Sequence, residues 1–334
     1  MASSNEGIPV VDLSSWHSDV SSPPEAVVLQ VSHALREVGF FVLTGHGVAR
    51  SIIDAAFAEA ARFHAQTLEA KLNVRLDRNN NGYMPAKSTT IRTSTVAVNK
   101  GVDLNEAFFF RPQLSPDHPD VKARRQYRGL NQWPTELAGF RETCLAYSDA
   151  MLALANRMLR VLEVVLELPM GWFDRPFHDP QWVTRLSHYF PVEPGAAAYG
   201  LSPHTDGSFF TLLPQTEVPG LEVRLPDGQW IAPPFLAGSI VFNSGDMLHR
   251  WSNGRLLSTP HRANPPVGRD RYAIPFFHGP NWDAEIGCLA NCLAPGETPL
   301  WPPITFSNYM AWWYENNYAS AHAKLSADEA KRST

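Results

Sequence analysis

The sequence predicts an α+β protein: a mixed α/β opening, one long central helix, a β-rich half of sandwich or jelly-roll type, and a closing helix. Three observations carry this. From about Glu136 to Leu168 the apolar positions Leu145, Leu152, Leu159, Leu162 and Leu166 recur at helical steps, and Pro169 ends the pattern. Beyond it the period shortens: "WVTRLSHYF", "SFFTLLPQ", "LEVRL", "QWIAPPF", "GSIVFNSGD", "STPHRA" and "RYAIPFFH" are short β-leaning runs divided by Pro, Gly, Asp and Asn. Finally, 334 residues at 44% hydrophobic and 18% charged supply one large core, or a core with a helical annexe.

In chain order, "IPVVDLSSW" reads as a short strand, and "PPEAVVLQVSHALREVG" as an amphipathic helix with Pro at its start and Gly at its stop. "GFFVLTGHGV" is a strand closed by glycines, and "SIIDAAFAEAARFHAQTLEAKL" a second helix. After the long helix and the β-rich stretch, "ITFSNYMAWWYENNYASAHAKL" forms a terminal helix with an aromatic face. The 28 prolines are spread through connections and mark no single linker.

Composition excludes some functions. A formal charge of -5, without any long run of Lys or Arg, does not suit a phosphate backbone, so no nucleic-acid partner is expected. The opening "MASSNEGIPVVDLSSW" has neither a basic leader nor a long apolar segment, and no later run approaches a membrane span of roughly 20 apolar residues. The expected location is therefore cytoplasmic, with no membrane partner. Cys144, Cys288 and Cys292 form an odd set and read as reduced structural thiols; Cys288 and Cys292 lack a second Cys/His pair with which to hold a metal.

The chemistry begins at "SPHTDGSFF". Residues i and i+2 of a strand share a face, so His204 and Asp206 present an imidazole and a carboxylate side by side. Two histidines and one carboxylate on one face of an octahedron are the ligand set of non-haem Fe(II) oxygenases, and the third ligand must come from another strand. His249, in "DMLHRWSNG", precedes an Asn-Gly hairpin signal and reads as a hairpin side chain. His261, in "LLSTPHRANPP", lies on the strand expected to return from that hairpin, and an antiparallel return carries it back toward His204. In "RDRYAIPFF", charge does not separate Arg269 from Arg271; alternation favours Arg271 facing inward with Ala273 and Pro275, leaving Tyr272 and Ile274 outward. An inward guanidinium suits a carboxylate bidentately.

The segments "IPVVDLSSW", "REVGFFVLTGHGV", "NGYMP", "DLNEAFFF", "SPHTDGSFFTLL", "LHRWSNGRLLSTPHRA" and "RYAIPFF" together resemble the isopenicillin N synthase-like group of Fe(II)/2-oxoglutarate-dependent dioxygenases, in order from about Ile8 to His278. The resemblance implies a double-stranded β-helix (jelly-roll) core at 181–281. A mixed α/β region carrying a substrate loop would occupy 1–120, helical support 121–180, and a C-terminal segment and helix 282–334. It implies His204, Asp206 and His261 as iron ligands, Arg271 on the distal carboxylate of 2-oxoglutarate with Tyr189 as a second cosubstrate contact, and O2 as oxidant. Two departures stand out. The family's Arg-x-Ser becomes Arg271-Tyr272-Ala273, and its Tyr-Tyr-Pro becomes Tyr189-Phe190-Pro191, with Phe190 at the place matched to the cosubstrate phenol. One lost hydrogen bond to a charged group removes about 1.5–3 kcal/mol.

The expected reaction is hydroxylation, desaturation or ring closure of a small metabolite, with succinate and CO2 as co-products. By the same resemblance the pocket draws on the segment from Tyr83 to Phe110: Tyr83, Arg92, Asn105, and Phe108 with Phe110 on one face. Such a pocket suits a carboxylate-bearing or heterocyclic metabolite. His188 either faces the cavity or is a satisfied strand residue. Trp312 and Tyr314 either cover the barrel mouth or simply pack, and exposed aromatics there permit a monomer or a homodimer. Two rival readings remain: a 2-oxoglutarate-independent iron oxidase or cyclase, and a non-catalytic ligand-binding barrel. The iron oxidase or cyclase would release no succinate, and the barrel would bind no iron.

Overall fold

The computed structural model describes residues 7–16, 22–97, 102–195 and 198–318. Strand β1 (Val10–Asp12) and strand β2 (Phe40–Thr44) run parallel, joined by helix α1 (Glu25–Glu37). The apolar "FFVL" of β2 is buried throughout, as a strand covered on both faces requires. Helix α1 turns Val27, Val31, Ala34 and Leu35 inward at helical spacing. Between α1 and β2, Gly39 sits at φ +75 where a Cβ would strike the Thr259 hydroxyl.

The predicted second helix divides into α2 (Arg50–His64) and α3 (Leu68–Leu72), because the Thr67 hydroxyl accepts from Ala70 N at 3.2 Å and caps a new start. The break turns Lys71 into the core. Strands β3 (Gly82–Met84) and β4 (Asn105–Phe110) follow, then the short α4 (Pro119–Lys122) and the long α5 (Phe140–Val165). Helix α5 begins after Gly139, whose φ of +79 is left-handed, and packs on α1 and α2.

The β-rich half contains β5 (Gln181–Tyr189), β6 (Leu201–His204), β7 (Phe210–Pro214), β8 (Leu221–Arg224), β9 (Trp230–Ile231) and β10 (Ile240–Ser244). Helix α6 (Asp246–Trp251) precedes β11 (His261–Ala263), β12 (Arg271–Ala273) and β13 (Phe276–Gly279). A small ribbon, β14 (Glu285–Ile286) with β15 (Ile304–Thr305), leads into α7 (Phe306–Asn317). The predicted end of this last helix, from residue 319, lies outside the described residues.

Two sheets result. The nine-stranded one runs β1-β2-β10-β7-β13-β5-β4-β3, with β12 also paired to β5, and the four-stranded one runs β6-β11-β8-β9. They face each other as the halves of a jelly roll, since one cavity takes wall residues from β5, β7, β10 and β12 of the large sheet and from β6, β8 and β11 of the small one. Strand β5 divides the interior. Arg185, Ser187 and Tyr189 face the cavity, whereas Leu186 and His188 face the helices.

Three expectations change here. The Asn253-Gly254 signal makes no hairpin; it is the left-handed exit of α6, at φ +52 and +80, and His261 reaches His204 through β6 and β8. Arg271, Ala273 and Pro275 do face the cavity, but Ile274 on the other face is fully buried, its carbonyl accepting from the Tyr147 hydroxyl at 2.6 Å. Phe108 and Phe110 share a face as expected, yet it is the helix-side face: Phe108 packs on Phe63, Phe140 and Trp133, so it belongs to the core and not to a substrate pocket. Phe108→Ala is therefore expected to lower unfolding free energy by about 3–5 kcal/mol in denaturant titration. Cosubstrate affinity of the folded fraction should remain as in the parent protein.

Candidate active site

Strand β6 ends on His204, and its register with β11 sets the Cα of His261 directly opposite. The two rings lie 4.3 Å apart. His204 Nδ1 sits 2.8 Å from the Ser202 carbonyl and His261 Nδ1 3.1 Å from the Thr259 carbonyl, each two residues upstream. Carbonyls only accept, so each Nδ1 carries the proton and each Nε2 presents a lone pair. Both Nε2 atoms lie 3.7 Å from Asp206 Oδ1.

The other carboxylate oxygen is already engaged: Oδ2 of Asp206 accepts from the Thr211 hydroxyl at 2.6 Å and from Asn243 Nδ2 at 2.8 Å. Burial, and then the neighbouring His261, push the His204 pKa below its ordinary value. Burial works against ionising Asp206, but the two imidazoles and the Thr211 and Asn243 bonds outweigh it, and its pKa lies below the usual carboxylate value. Two imidazole nitrogens and one carboxylate oxygen, within 4.8 Å of one another, fit a divalent iron ligated on one face.

Across the cavity Arg271 opens β12, opposite Tyr189 of β5. It is buried, whereas Arg269 is exposed. Its guanidinium lies 4.9 Å over the Tyr189 ring, and Nε donates to the Val218 carbonyl at 3.3 Å. Gly220 leaves it room, since a Cβ there would come within 2.9 Å of Nε. Burial lowers its pKa against the opposing influence of Tyr189, yet an arginine stays charged. Among the described residues no carboxylate pairs with it, and Nη1 is buried without a partner. A buried cation with an idle donor is a receptor for an anion.

The Tyr-Phe-Pro departure resolves on β5. Tyr189 is the phenol beside Arg271, while Phe190 turns to the other side, with its ring 4.4 Å from His188. Ala273 does line the cavity wall and offers no hydroxyl.

The expected substrate residues are not brought together. Tyr83 is in the core, where its hydroxyl donates to Glu106. Arg92 is exposed, and its backbone NH donates to Asn317 Oδ1 at 2.8 Å. Asn105 is buried beside the cavity, accepting from Arg185 and donating to the Gly200 carbonyl. Facing the cavity instead are Arg185 and, in an adjoining chamber that shares Asp206, Phe277, Trp313 and Tyr318, the side chains of Phe109 and Arg111. Counting back by twos from Tyr189 would have found Arg185, and the odd positions of β4 would have found Phe109.

Trp313, not Trp312, faces the site: its pyrrole edge lies against Gly207, next to Asp206, while Trp312 is 47% exposed. Tyr314 faces the adjoining chamber, and its hydroxyl accepts from Arg111 Nη2 at 2.9 Å.

His249 bonds the Leu256 carbonyl at 2.6 Å through Nδ1, a packed helix residue. All three cysteines are free thiols. His188 is satisfied on the helix side, with Nδ1 on Glu106 at 2.9 Å and Nε2 on Asp270 at 2.8 Å. His64, Glu106 and His188 form a second possible metal cluster, but the Lys71 ammonium already holds both Glu106 oxygens, at 3.0 and 2.9 Å. That cluster is a buried staple binding α2, α3, β4 and β5.

Two family models match: the non-haem dioxygenase N-terminal region, named for morphine synthesis, over residues 8–136, and the 2OG-Fe(II) oxygenase superfamily over residues 181–280. The 2-oxoglutarate-Fe(II) type oxidoreductase hxnY of Emericella nidulans is 34% identical, over 97% of this chain and 94% of its own. A 2OG-Fe(II) oxygenase family protein of Caulobacter crescentus aligns with a TM-score of 0.79 at 29% identity, covering 92% of this chain and 97% of that one. A full-length Neurospora crassa protein crystallised in complex with alpha-KG aligns at 0.76 and 26% identity, covering 91% of this chain and 95% of that one.

Because Asn243 and Thr211 fix which oxygen of Asp206 is free, Asn243→Ala is expected to weaken Fe(II) binding by about 10- to 100-fold without unfolding the protein. Anaerobic metal titration alongside a thermal melt measures both quantities; full iron affinity in the variant would remove Asn243 from the site's support.

Proposed function

The chain belongs to the 2OG-Fe(II) oxygenase superfamily and is a 2-oxoglutarate-dependent dioxygenase acting on a small molecule, and on that premise we propose how its residues divide the work. His204, Asp206 and His261 hold the iron. Arg271 and Tyr189 hold the 2-oxoglutarate, and the chamber between Arg185, Phe109, Arg111 and Trp313 holds the substrate. One observation carries the reading: two imidazoles with free Nε2 atoms converge on one carboxylate oxygen, and the cavity they line also contains the idle Nη1 of Arg271.

When bound, the iron supplies the redox chemistry by which O2 is consumed, 2-oxoglutarate becomes succinate and CO2, and the substrate is oxidised. The chain supplies geometry and exclusion. Ser202 and Thr259 lock the histidine tautomers through their carbonyls, and Thr211 and Asn243 lock the carboxylate. Arg271 orients the cosubstrate through its distal carboxylate, so that the 2-oxo acid end points toward the histidines. The aromatic walls at Phe109, Trp313 and Tyr318 keep water from the reaction and suit a planar ring.

Arg185 supplies the polar end of the substrate pocket. It is buried, donates to Asn105, lies 5.3 Å over the Phe109 ring and retains an unpartnered Nε. A carboxylate or a ring carbonyl on a flat metabolite matches it, with hydroxylation as the default outcome. The three free thiols are in keeping with a reducing, cytoplasmic setting.

The test is 2-oxoglutarate turnover read as succinate release. Arg271→Ala is expected to lower kcat/KM for 2-oxoglutarate by about 100-fold, with Arg271→Lys intermediate; unchanged turnover in Arg271→Ala would contradict the assignment. Arg185→Leu should abolish substrate oxidation yet leave substrate-independent succinate release in place. Equal loss of both would remove Arg185 from the substrate pocket.

A further inference from the structure

Ser187 lies at the centre of the cavity-facing side of β5, between Arg185 and Tyr189, and is 1% exposed. Its neighbours across both adjoining strands are alanines: Ala107 of β4 on one side and Ala273 of β12 on the other. Neither side chain offers an acceptor, and the Ser187 hydroxyl is buried without any hydrogen-bond partner. An idle buried hydroxyl is unfavourable, so one retained on a cavity wall implies an acceptor brought by a ligand.

The position indicates which ligand. Directly opposite residues of antiparallel strands hold their Cβ atoms about 5 Å apart, so a hydroxyl carried by Ser187 reaches the space that a side chain at 273 would occupy. Arg271, with its own idle Nη1, is two residues from Ala273 on the same face, and Tyr189 is two residues from Ser187. Two unpartnered donors, one charged and one neutral, thus stand on adjacent strands of one wall. A carboxylate has about four lone-pair positions, and a guanidinium fork occupies two.

We propose that Ser187 is a cosubstrate-binding residue that donates its hydroxyl to the distal carboxylate of 2-oxoglutarate beside Arg271. It thereby replaces, from the neighbouring strand, the hydroxyl that Ala273 cannot give. The proposal rests on the reading of Arg271 as the carboxylate anchor. Loss of the bond leaves iron binding intact and weakens only ligands that carry the distal carboxylate.

The experiment is calorimetric titration of Ni(II)-loaded protein with 2-oxoglutarate and, separately, with 2-oxobutyrate, which keeps the 2-oxo acid end and lacks the distal carboxylate. Ser187→Ala is expected to weaken 2-oxoglutarate binding by about tenfold or more and to leave 2-oxobutyrate binding, Ni(II) affinity and melting temperature unchanged. Ser187→Ala combined with Ala273→Ser should recover most of the lost affinity. Arg271→Ala serves as the control for the underlying reading. If it weakens 2-oxoglutarate while Ser187→Ala does not, or if Ser187→Ala weakens both acids equally, the role of Ser187 is overturned and that of Arg271 stands. If Arg271→Ala has no effect on 2-oxoglutarate, the anchor reading itself fails.

Discussion

The pairing of β6 with β11 is the constraint on which the rest of the structure depends. It sets His204 opposite His261, and each ring is then pinned by a backbone carbonyl two residues behind it. The strand geometry that builds the small sheet sets where the two rings stand, and the carbonyls of Ser202 and Thr259 set where their Nε2 atoms point. Asp206 lies just past the end of β6, free of the ladder, where Thr211 of β7 and Asn243 of β10 reach it from the opposite sheet. The three side chains therefore come together only when the two sheets close, which ties the proposed metal site to the folded jelly roll.

Strand β5 is the second organising element, because its two faces do different work. One face carries Arg185, Ser187 and Tyr189 to the cavity. The other carries His188 into the Lys71–Glu106 staple, which ties the N-terminal helices to the sheet. Burial alone raises the Glu106 pKa, but bonds from His188, His64 and Tyr83 reverse this and keep it ionised. Such a pair is held by compensation of charges, and removing one partner would leave the others buried and unmatched. The cavity face is thus backed by a polar cluster on the other side of the same strand.

Much of this was legible in the sequence, for reasons that can be named. The proposed iron ligands were readable as a set because the residues around His204 and His261 extend the resemblance; strand alternation does not place Asp206, since β6 ends on His204, and the Asn253-Gly254 signal before His261 is a helix exit and not a hairpin. The inward turn of Arg271 was readable because alternation is local. The residues lining the two chambers were not, because the choice between the two faces of β4 depends on what covers each face. Phe108 and Phe109 are chemically identical, and only the packing of α2 and α5 sends the first to the core and leaves the second for the cavity. Trp313 was missed for the same reason, and the idle donors of Ser187 and Arg185 are properties of a surrounding that sequence does not display.

The most direct test of the central claim is an anaerobic titration of the purified protein with Fe(II) and then 2-oxoglutarate, following the visible metal-to-ligand charge-transfer absorption of the chelate. The band is expected to form at one equivalent of iron and never to form in Asp206→Ala. Iron binding without the band would contradict the cosubstrate site at Arg271 and Tyr189. Failure to bind iron at all would contradict the assignment of His204, Asp206 and His261 as its ligands.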